Sequence, residues 1–189
     1  VFCFLFVTRV LKGGKVWDVW GLAVSYGLLI LSNIPIALIG SIALGVYAVC
    51  CFYFFRSDRD KGIKLVIGLA TGIIASSFYL YRVLSELSWI NHSDPRFLRV
   101  SGNTYEDYFV NYGPAFFPGD LVLANFIFLI VVPVAIILVM KSRSSKRTFY
   151  PLIIVTLLSI FMSTSLSHAI WRIFAPLQNV QFPWRWFAV

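Results

Sequence analysis

The apolar stretch at residues 16–55, VWDVWGLAVSYGLLILSNIPIALIGSIALGVYAVCCFYFF, decides the fold. It divides at the turn Ser32-Asn33-Ile34-Pro35, because Asn tolerates unusual backbone angles and Pro favours the first turn of a new helix. Segment 36–55 carries no charge and is long enough for a bilayer crossing of about 20 residues, whereas 16–31 is slightly short. The pattern predicts a helical hairpin in a membrane.

Apolar segments on the C-terminal side of this hairpin extend the pattern. Segments 62–84, 121–140 and 150–170 read as further spans, and a polar linker at 171–180 leads to another helix that begins near Pro183. Small residues suited to close packing of membrane helices occur at Gly40, Gly45, Gly68, Gly72, Ala75 and Ser76. Because both chain ends are apolar, we expect a fragment of one multi-pass domain. The predicted fold is all-α, a polytopic transmembrane helix bundle with about five complete spans and truncated helices at both ends.

Composition points to the same class of protein. Apolar residues make up 59% of the sequence and charged residues only 13%, and the mean hydropathy is +0.83. Soluble domains carry roughly 25% charged residues, so composition excludes an ordinary soluble domain. Cys3, Cys50 and Cys51 lie in apolar runs, and adjacent cysteines on a helix point to different faces. We therefore predict no disulfide framework.

The net charge of +8 is divided unevenly between alternate connections. If the spans alternate, one side holds Arg9, Lys12, Lys15, Arg56, Arg59, Lys61, Lys64, Lys141, Arg143, Lys146 and Arg147. The other side holds Arg82, Arg96, Arg99, Arg172 and Arg185, balanced by Glu86, Asp94, Glu106, Asp107 and Asp120. The positive-inside rule makes the first side cytoplasmic and places 85–120 and 171–185 outside. The charge therefore predicts an orientation, and no nucleic-acid partner.

The loop at 85–120 interleaves carboxylates with aromatic residues. Carboxylates accept hydrogen bonds from hydroxyl groups or hold a divalent cation, and aromatic rings cover the apolar faces of sugars. The candidate sugar ligands are Glu86, Asp94, Glu106 and Asp107. A solvated loop explains the same residues without a ligand. His92 and Asp94 form only a weak metal pattern, because no second histidine accompanies them.

Ionisable residues also occur in pairs four positions apart near two predicted span ends. Arg82 and Glu86 either pair on one helix face or bind a ligand. His168 and Arg172 have the same spacing, and an arginine there can clamp a phosphate, with a snorkelling membrane anchor as the alternative. The closing motif at 181–189, QFPWRWFAV, adds Gln181, Trp184 and Arg185. Its aromatic and basic residues suit either an interface belt or a phosphate-binding turn that lines a cavity.

No phosphate-binding glycine loop or dinucleotide fingerprint is present in the sequence. A donor used outside the cytoplasm would more naturally be linked to a lipid than be a free nucleotide. The sequence therefore predicts no nucleotide cofactor.

Three segments follow one another along the chain: the hairpin 21–35, Ser77-Phe78-Tyr79-Leu80 followed by Glu86, and QFPWR at 181–185. In this order the chain resembles the bacterial 6-pyruvoyl-tetrahydropterin synthase-related integral membrane domains, of the YfhO-like and GT-C-type glycosyltransferase superfamily. The resemblance implies transfer of sugars from polyprenyl-phosphate donors at the outer face of the bacterial inner membrane. It also implies that the catalytic acidic residue lies in the first outer loop of the whole enzyme. We expect that loop to be missing from this fragment, so the resemblance assigns catalysis to no residue here.

Three hypotheses follow from these observations. The leading one is a part of a membrane glycosyltransferase for envelope polysaccharide or glycolipid assembly, with Arg185 and Arg172 on the donor phosphate. The second is a non-enzymatic transporter or assembly subunit for lipid-linked saccharides, although the span centres carry almost no charge and no repeat is evident. The third is a structural membrane module, whose outer loop would tolerate wholesale substitution.

Overall fold

The computed structural model describes residues 2–86, 130, 133, 134, 137, 146–178 and 186. In these residues the secondary structure is helical, with no strand. The helices are α1 (Phe2–Gly13), α2 (Val16–Ser32), α3 (Ile34–Phe55), α4 (Arg59–Ala75), α5 (Ser77–Glu86), α6 (Lys146–Ser163), α7 (His168–Ile173) and α8 (Ala175–Gln178). The chain divides into two compact units, Val1–Asn103 and Thr104–Val189, which are described separately.

One described helix, α3, is long and apolar enough by itself to cross a membrane, with a mean hydropathy of 2.2 over its best window. Up to three crossings result if each of two bent helix pairs counts as one. The apolar α2 has 17 residues and falls short of that length. The membrane character predicted from the sequence is therefore present. Of the predicted span 121–140 only residues 130, 133, 134 and 137 are described, and they are helical; most of loop 85–120 lies outside the described residues.

The turn between α2 and α3 lies where the sequence predicts it. Asn33 alone separates the two helices in an extended conformation, and its Oδ1 accepts a hydrogen bond from the Ile36 backbone N–H at 3.3 Å. Pro35 occupies the first turn of α3, where the missing N–H of proline costs no helical hydrogen bond. The Tyr26 and Ser41 hydroxyl groups then join α2 to α3 at 2.8 Å.

The closest helix packing in the first unit is between α2 and α4, and it depends on glycine. A Cβ atom at Gly72 would lie 2.8 Å from the carbonyl oxygen of Ala23, and one at Gly68 would lie 3.2 Å from that of Val19. The predicted packing role is confirmed for Gly68, Gly72 and the fully buried Ser76. No described atom lies within 4 Å of a Cβ built at Gly45, and Ala75 is exposed, so neither has a packing partner among the described residues.

The N-terminal helix α1 packs against α2, α3 and α4. Thr8 Oγ1 lies 2.7 Å from the Tyr47 hydroxyl, and the Phe4 ring meets the Tyr47 ring edge-on at 4.9 Å. The Phe6 ring lies directly on Gly21, where any side chain would overlap it. The first apolar run is therefore a packed part of this unit.

The two basic loops of the first unit meet at one end of it. Lys64 Nζ donates a hydrogen bond to the carbonyl oxygen of Gly14 at 2.9 Å, and Ser57 Oγ donates one to that of Leu11 at 2.6 Å. Gly14 has a φ of +64°, a conformation that favours glycine, and so allows the sharp turn from α1 into α2. The basic segments 9–15 and 56–64 therefore lie at the same end of the first unit, as alternating spans require.

Two predicted spans are broken where the sequence suggests continuous helices. Segment 62–84 divides at Ser76 into α4 and α5, which are bent by 59°. Segment 150–170 ends as a helix at Ser163, and the chain bends by 86° into the short helical segment Ser165–Ile173. In both places serine or threonine hydroxyl groups hydrogen-bond to backbone carbonyls and compete with the regular helix.

The segment predicted as a polar linker, 171–180, is also ordered in its described part. The helices α7 and α8 cover it as far as Gln178, and the side chains of Trp171 and Leu177 are buried. The linker prediction is therefore wrong for these residues, because two large apolar side chains in this segment bury against its own unit.

Candidate functional site

The first group of candidate residues lies on α5, beyond the break at Ser76. The buried Ser76 Oγ is 2.9 Å from the carbonyl oxygen of Gly72 and 3.3 Å from that of Gly27, so this hydroxyl ties the end of α4 to α2. Helix α5 then leaves the α2–α4 interface, and none of its side chains is buried. The break therefore places α5 on the surface, at the end of α4 opposite the basic loop 56–64.

Helix α5 carries both apolar and polar side chains on its surface. Phe78, Tyr81 and Leu84 are 69%, 77% and 68% exposed, which is typical of a helix that rests against lipid. Arg82, Ser85 and Glu86 lie on the side of the helix that also carries Phe78, while Tyr81 and Leu84 lie on the other side.

Arg82 and Glu86 form an ion pair, one of the two alternatives that their spacing left open. Arg82 Nε lies 2.6 Å from Glu86 Oε1, and the two side chains are 74% and 37% exposed. Because the bond uses Nε and the side chain is exposed, the terminal NH₂ groups of the guanidinium remain accessible to an anion. The pair thus offers hydrogen-bond donors from Arg82 and carboxylate acceptors from Glu86 at the same surface.

The second group of candidates lies beyond the other bend, in the second unit. The Ser167 hydroxyl donates to the carbonyl oxygens of Met162 at 3.1 Å and Thr164 at 2.8 Å. The indole N–H of the fully buried Trp171 also donates to Met162, at 3.2 Å. These bonds satisfy carbonyls that the ending α6 would leave unpaired, and they fix the direction of α7.

His168 and Arg172 are both on α7, one turn apart. Helix α7 begins at His168, and Arg172 lies in its last turn with an exposed side chain. The buried Trp171 lies between them in sequence and anchors this short helix to its unit. The predicted i, i+4 relation therefore exists, although on a separate helix and not at the end of a continuous span.

One residue of the closing motif is described. Trp186 is fully buried, and its indole N–H has no hydrogen-bond partner among the described residues. A buried indole usually finds an acceptor, so this donor is unusual. The other candidate ligands, Gln181, Trp184, Arg185, Asp94, Glu106 and Asp107, lie outside the described residues.

Sequence reasoning missed the residues that shape these surfaces. Ser76, Ser167 and Trp171 carry no catalytic chemistry, yet they determine where α5 and α7 point. A signal was present, since serines cluster at 76–77 and 163–167 inside otherwise apolar runs. No group of three or more His, Cys, Asp or Glu side chains suited to a metal ion occurs in the part of the chain that the structure describes.

Comparisons with known proteins leave the chain without an assigned relative. No family model, no curated protein and no solved structure matches it.

Proposed function

We propose that this chain is part of a GT-C-type membrane glycosyltransferase, a multi-pass protein with about five spans, that uses a polyprenyl-phosphate-linked sugar at the outer membrane face. The observation that carries the proposal is the position of the two described ionisable pairs. Each pair lies on a short helix just beyond a break in an apolar helix, Arg82 with Glu86 on α5 and His168 with Arg172 on α7. In both cases the break is at the end of the apolar helix away from its basic flank.

A helix end at the membrane surface is where the phosphate of a lipid-linked donor meets the protein. The polyprenyl tail remains in the bilayer, and the phosphate and sugar lie in the interface. An exposed arginine on an interfacial helix can reach that phosphate with two parallel hydrogen bonds. Arg172 and Arg185 are therefore assigned to the donor phosphate, and Glu86 with Asp94, Glu106 or Asp107 to the sugar.

The buried Trp186 favours a cavity over an aromatic belt for the closing motif. Belt tryptophans lie at the lipid surface, whereas Trp186 is buried and holds an N–H donor without a described partner. A turn that brings Trp184, Arg185 and Trp186 to the inner surface of a cavity agrees with both features.

The experiment uses undecaprenyl phosphate as the probe and the full-length protein in nanodiscs. Arg172→Ala should weaken retention of this lipid by about tenfold, because a hydrogen bond to a charged group contributes about 1.5–3 kcal/mol. Arg172→Lys should restore part of the affinity, since lysine keeps the charge and loses the bidentate geometry. Retention is measured by native mass spectrometry.

Undecaprenol, which lacks the phosphate, is the matched control ligand. The proposal predicts weak binding of undecaprenol that Arg172→Ala does not alter. Equal retention of both lipids, or an Arg172→Ala variant that binds undecaprenyl phosphate as well as the unmodified protein, would remove the phosphate role.

Non-enzymatic transport is the second candidate function, and the broken helices favour it. Transporters form their substrate sites from discontinuous helices, but these breaks lie near the bilayer midplane. Here each break separates a longer helix from a shorter one that carries the ionisable pair, and the two parts meet the length of a span only together. The transport hypothesis therefore requires each bent pair to cross the membrane as a single span. A vesicle assay separates the candidates, because a transporter moves a fluorescent lipid-linked sugar across the bilayer and a glycosyltransferase consumes it on one side.

A further inference from the structure

An apolar groove lies between α3 and α4 in the first unit. These consecutive helices diverge because α4 packs against α2 and α1. The groove has a volume of about 570 Å³, and its walls include Val49, Phe52, Ile63 and Val66, with Arg59 at one end. The chain thus leaves an open apolar slot between two helices that are joined by a loop of three residues, 56–58.

The walls of the groove are side chains suited to hydrocarbon. Val49 is 71% exposed and Val66 is 64% exposed, and both point away from the core of the unit. Gly62 keeps the end of the groove near the loop open, since a Cβ atom there would lie 3.2 Å from the Phe52 ring. The groove is therefore an open apolar depression along the helix pair.

Positive charge is concentrated where the groove meets the loop. Arg59 lines the groove and Arg56 lies three residues before it, both exposed. The nearby Asp58 Oδ2 lies 3.5 Å from Lys61 Nζ, so the charge of Asp58 is compensated within its own turn. In the described residues no carboxylate forms an ion pair with Arg56 or Arg59, although Asp60 follows Arg59 in sequence. Lys12 on α1, Lys15 in the loop that follows it and Lys64 on α4 add positive charge at the same end of the unit.

We propose that this groove is a binding site for an anionic phospholipid of the inner leaflet. One acyl chain lies between α3 and α4 against Val49, Phe52 and Val66, and the phosphate headgroup meets Arg59 and Arg56 at the membrane surface. Charge complementarity favours a lipid over a helix from another protein, because a helix would cover Arg59 and need its own carboxylate to compensate the buried charge. This site is separate from Arg82 and Glu86, which lie beyond the opposite end of α4.

The test measures which lipids the full chain retains. The protein is purified from nanodiscs that hold equal amounts of phosphatidylglycerol and phosphatidylcholine with the same acyl chains, and bound lipid is counted by native mass spectrometry. We expect selective retention of phosphatidylglycerol. Arg59→Ala should lower that selectivity about fivefold, as expected for a basic residue that contributes about 1 kcal/mol at an anionic surface.

Two further variants separate the headgroup contact from the groove itself. Val66→Trp should lower retention of both lipids, because the indole fills the groove. Arg9→Ala removes the same charge from the same end of the unit but lies on α1, outside the groove, and should leave retention unchanged. Equal retention of the two lipids, an unchanged ratio in Arg59→Ala, or full retention in Val66→Trp would overturn the proposal. The last result would show that the retained lipid binds outside the groove.

Discussion

At the scale of single residues, the first unit depends on the absence of side chains at Gly68 and Gly72. Without these Cβ atoms the backbones of α2 and α4 approach closely enough for Ser76 Oγ to reach the carbonyl oxygen of Gly27. In a membrane such packing replaces the hydrophobic effect as the force that holds helices together. The missing side chains of these two glycines thus determine the helix arrangement that separates α4 from α3.

Gly72→Ala should destabilise the protein, because the new Cβ would lie 2.8 Å from a backbone oxygen that cannot rotate away. Overpacking of this kind costs about 1–3 kcal/mol. Gly45→Ala is the matched control, since open space surrounds Gly45 on α3. The free energy of unfolding in SDS–detergent mixtures measures both. Equal stability of the two variants would show that α2 and α4 do not pack as described.

At the scale of the elements, the two breaks determine where the ionisable pairs lie. Helix α5 starts after Ser76 and α7 starts after Ser167, and in each case hydroxyl groups hold the preceding carbonyls. A continuous helix would carry Arg82 or Arg172 further along the original axis. The breaks turn the helices that carry these side chains away from that axis.

Ser167→Ala should weaken the turn between α6 and α7. The buried Ser167 hydroxyl bridges the carbonyl oxygens of Met162 and Thr164, and loss of a hydrogen bond costs about 0.5–1.5 kcal/mol. Thr164→Ala is the control, because the Thr164 hydroxyl makes an exposed bond to Phe161 and should matter by less than about 0.5 kcal/mol. Thermal unfolding in detergent distinguishes them. If Thr164→Ala were the more damaging, the turn would be held differently.

The elements also show how far sequence reasoning reaches. The turn at Asn33 and Pro35 was predictable, because both residues have strong local preferences that do not depend on tertiary contacts. The break at Ser76 was not, because a serine in an apolar helix can bond within its own helix or to a neighbour. Here the outcome depends on the Gly27 carbonyl, which belongs to another helix. The spacing of Arg82 and Glu86 left an ion pair and a ligand site as alternatives, and the structure shows the ion pair.

At the scale of the whole molecule, we interpret the chain as a membrane protein with two chemically different sides. The basic loops 9–15 and 56–64 meet at one end of the first unit, and α5 with Arg82 and Glu86 lies at the other. From the positive-inside rule we predict that the basic end is cytoplasmic. Both proposals depend on this orientation, because the donor site needs the outer face and the anionic lipid needs the inner leaflet.

The most direct test of this claim labels single cysteines in intact cells. In a background where Cys3, Cys50 and Cys51 are replaced by alanine, Ser85→Cys and Asp60→Cys are treated with a maleimide that does not cross membranes. The account predicts that Ser85→Cys reacts in intact cells and that Asp60→Cys reacts only after the membrane is opened. Labelling of both positions from the same side, or the reverse pattern, would contradict it.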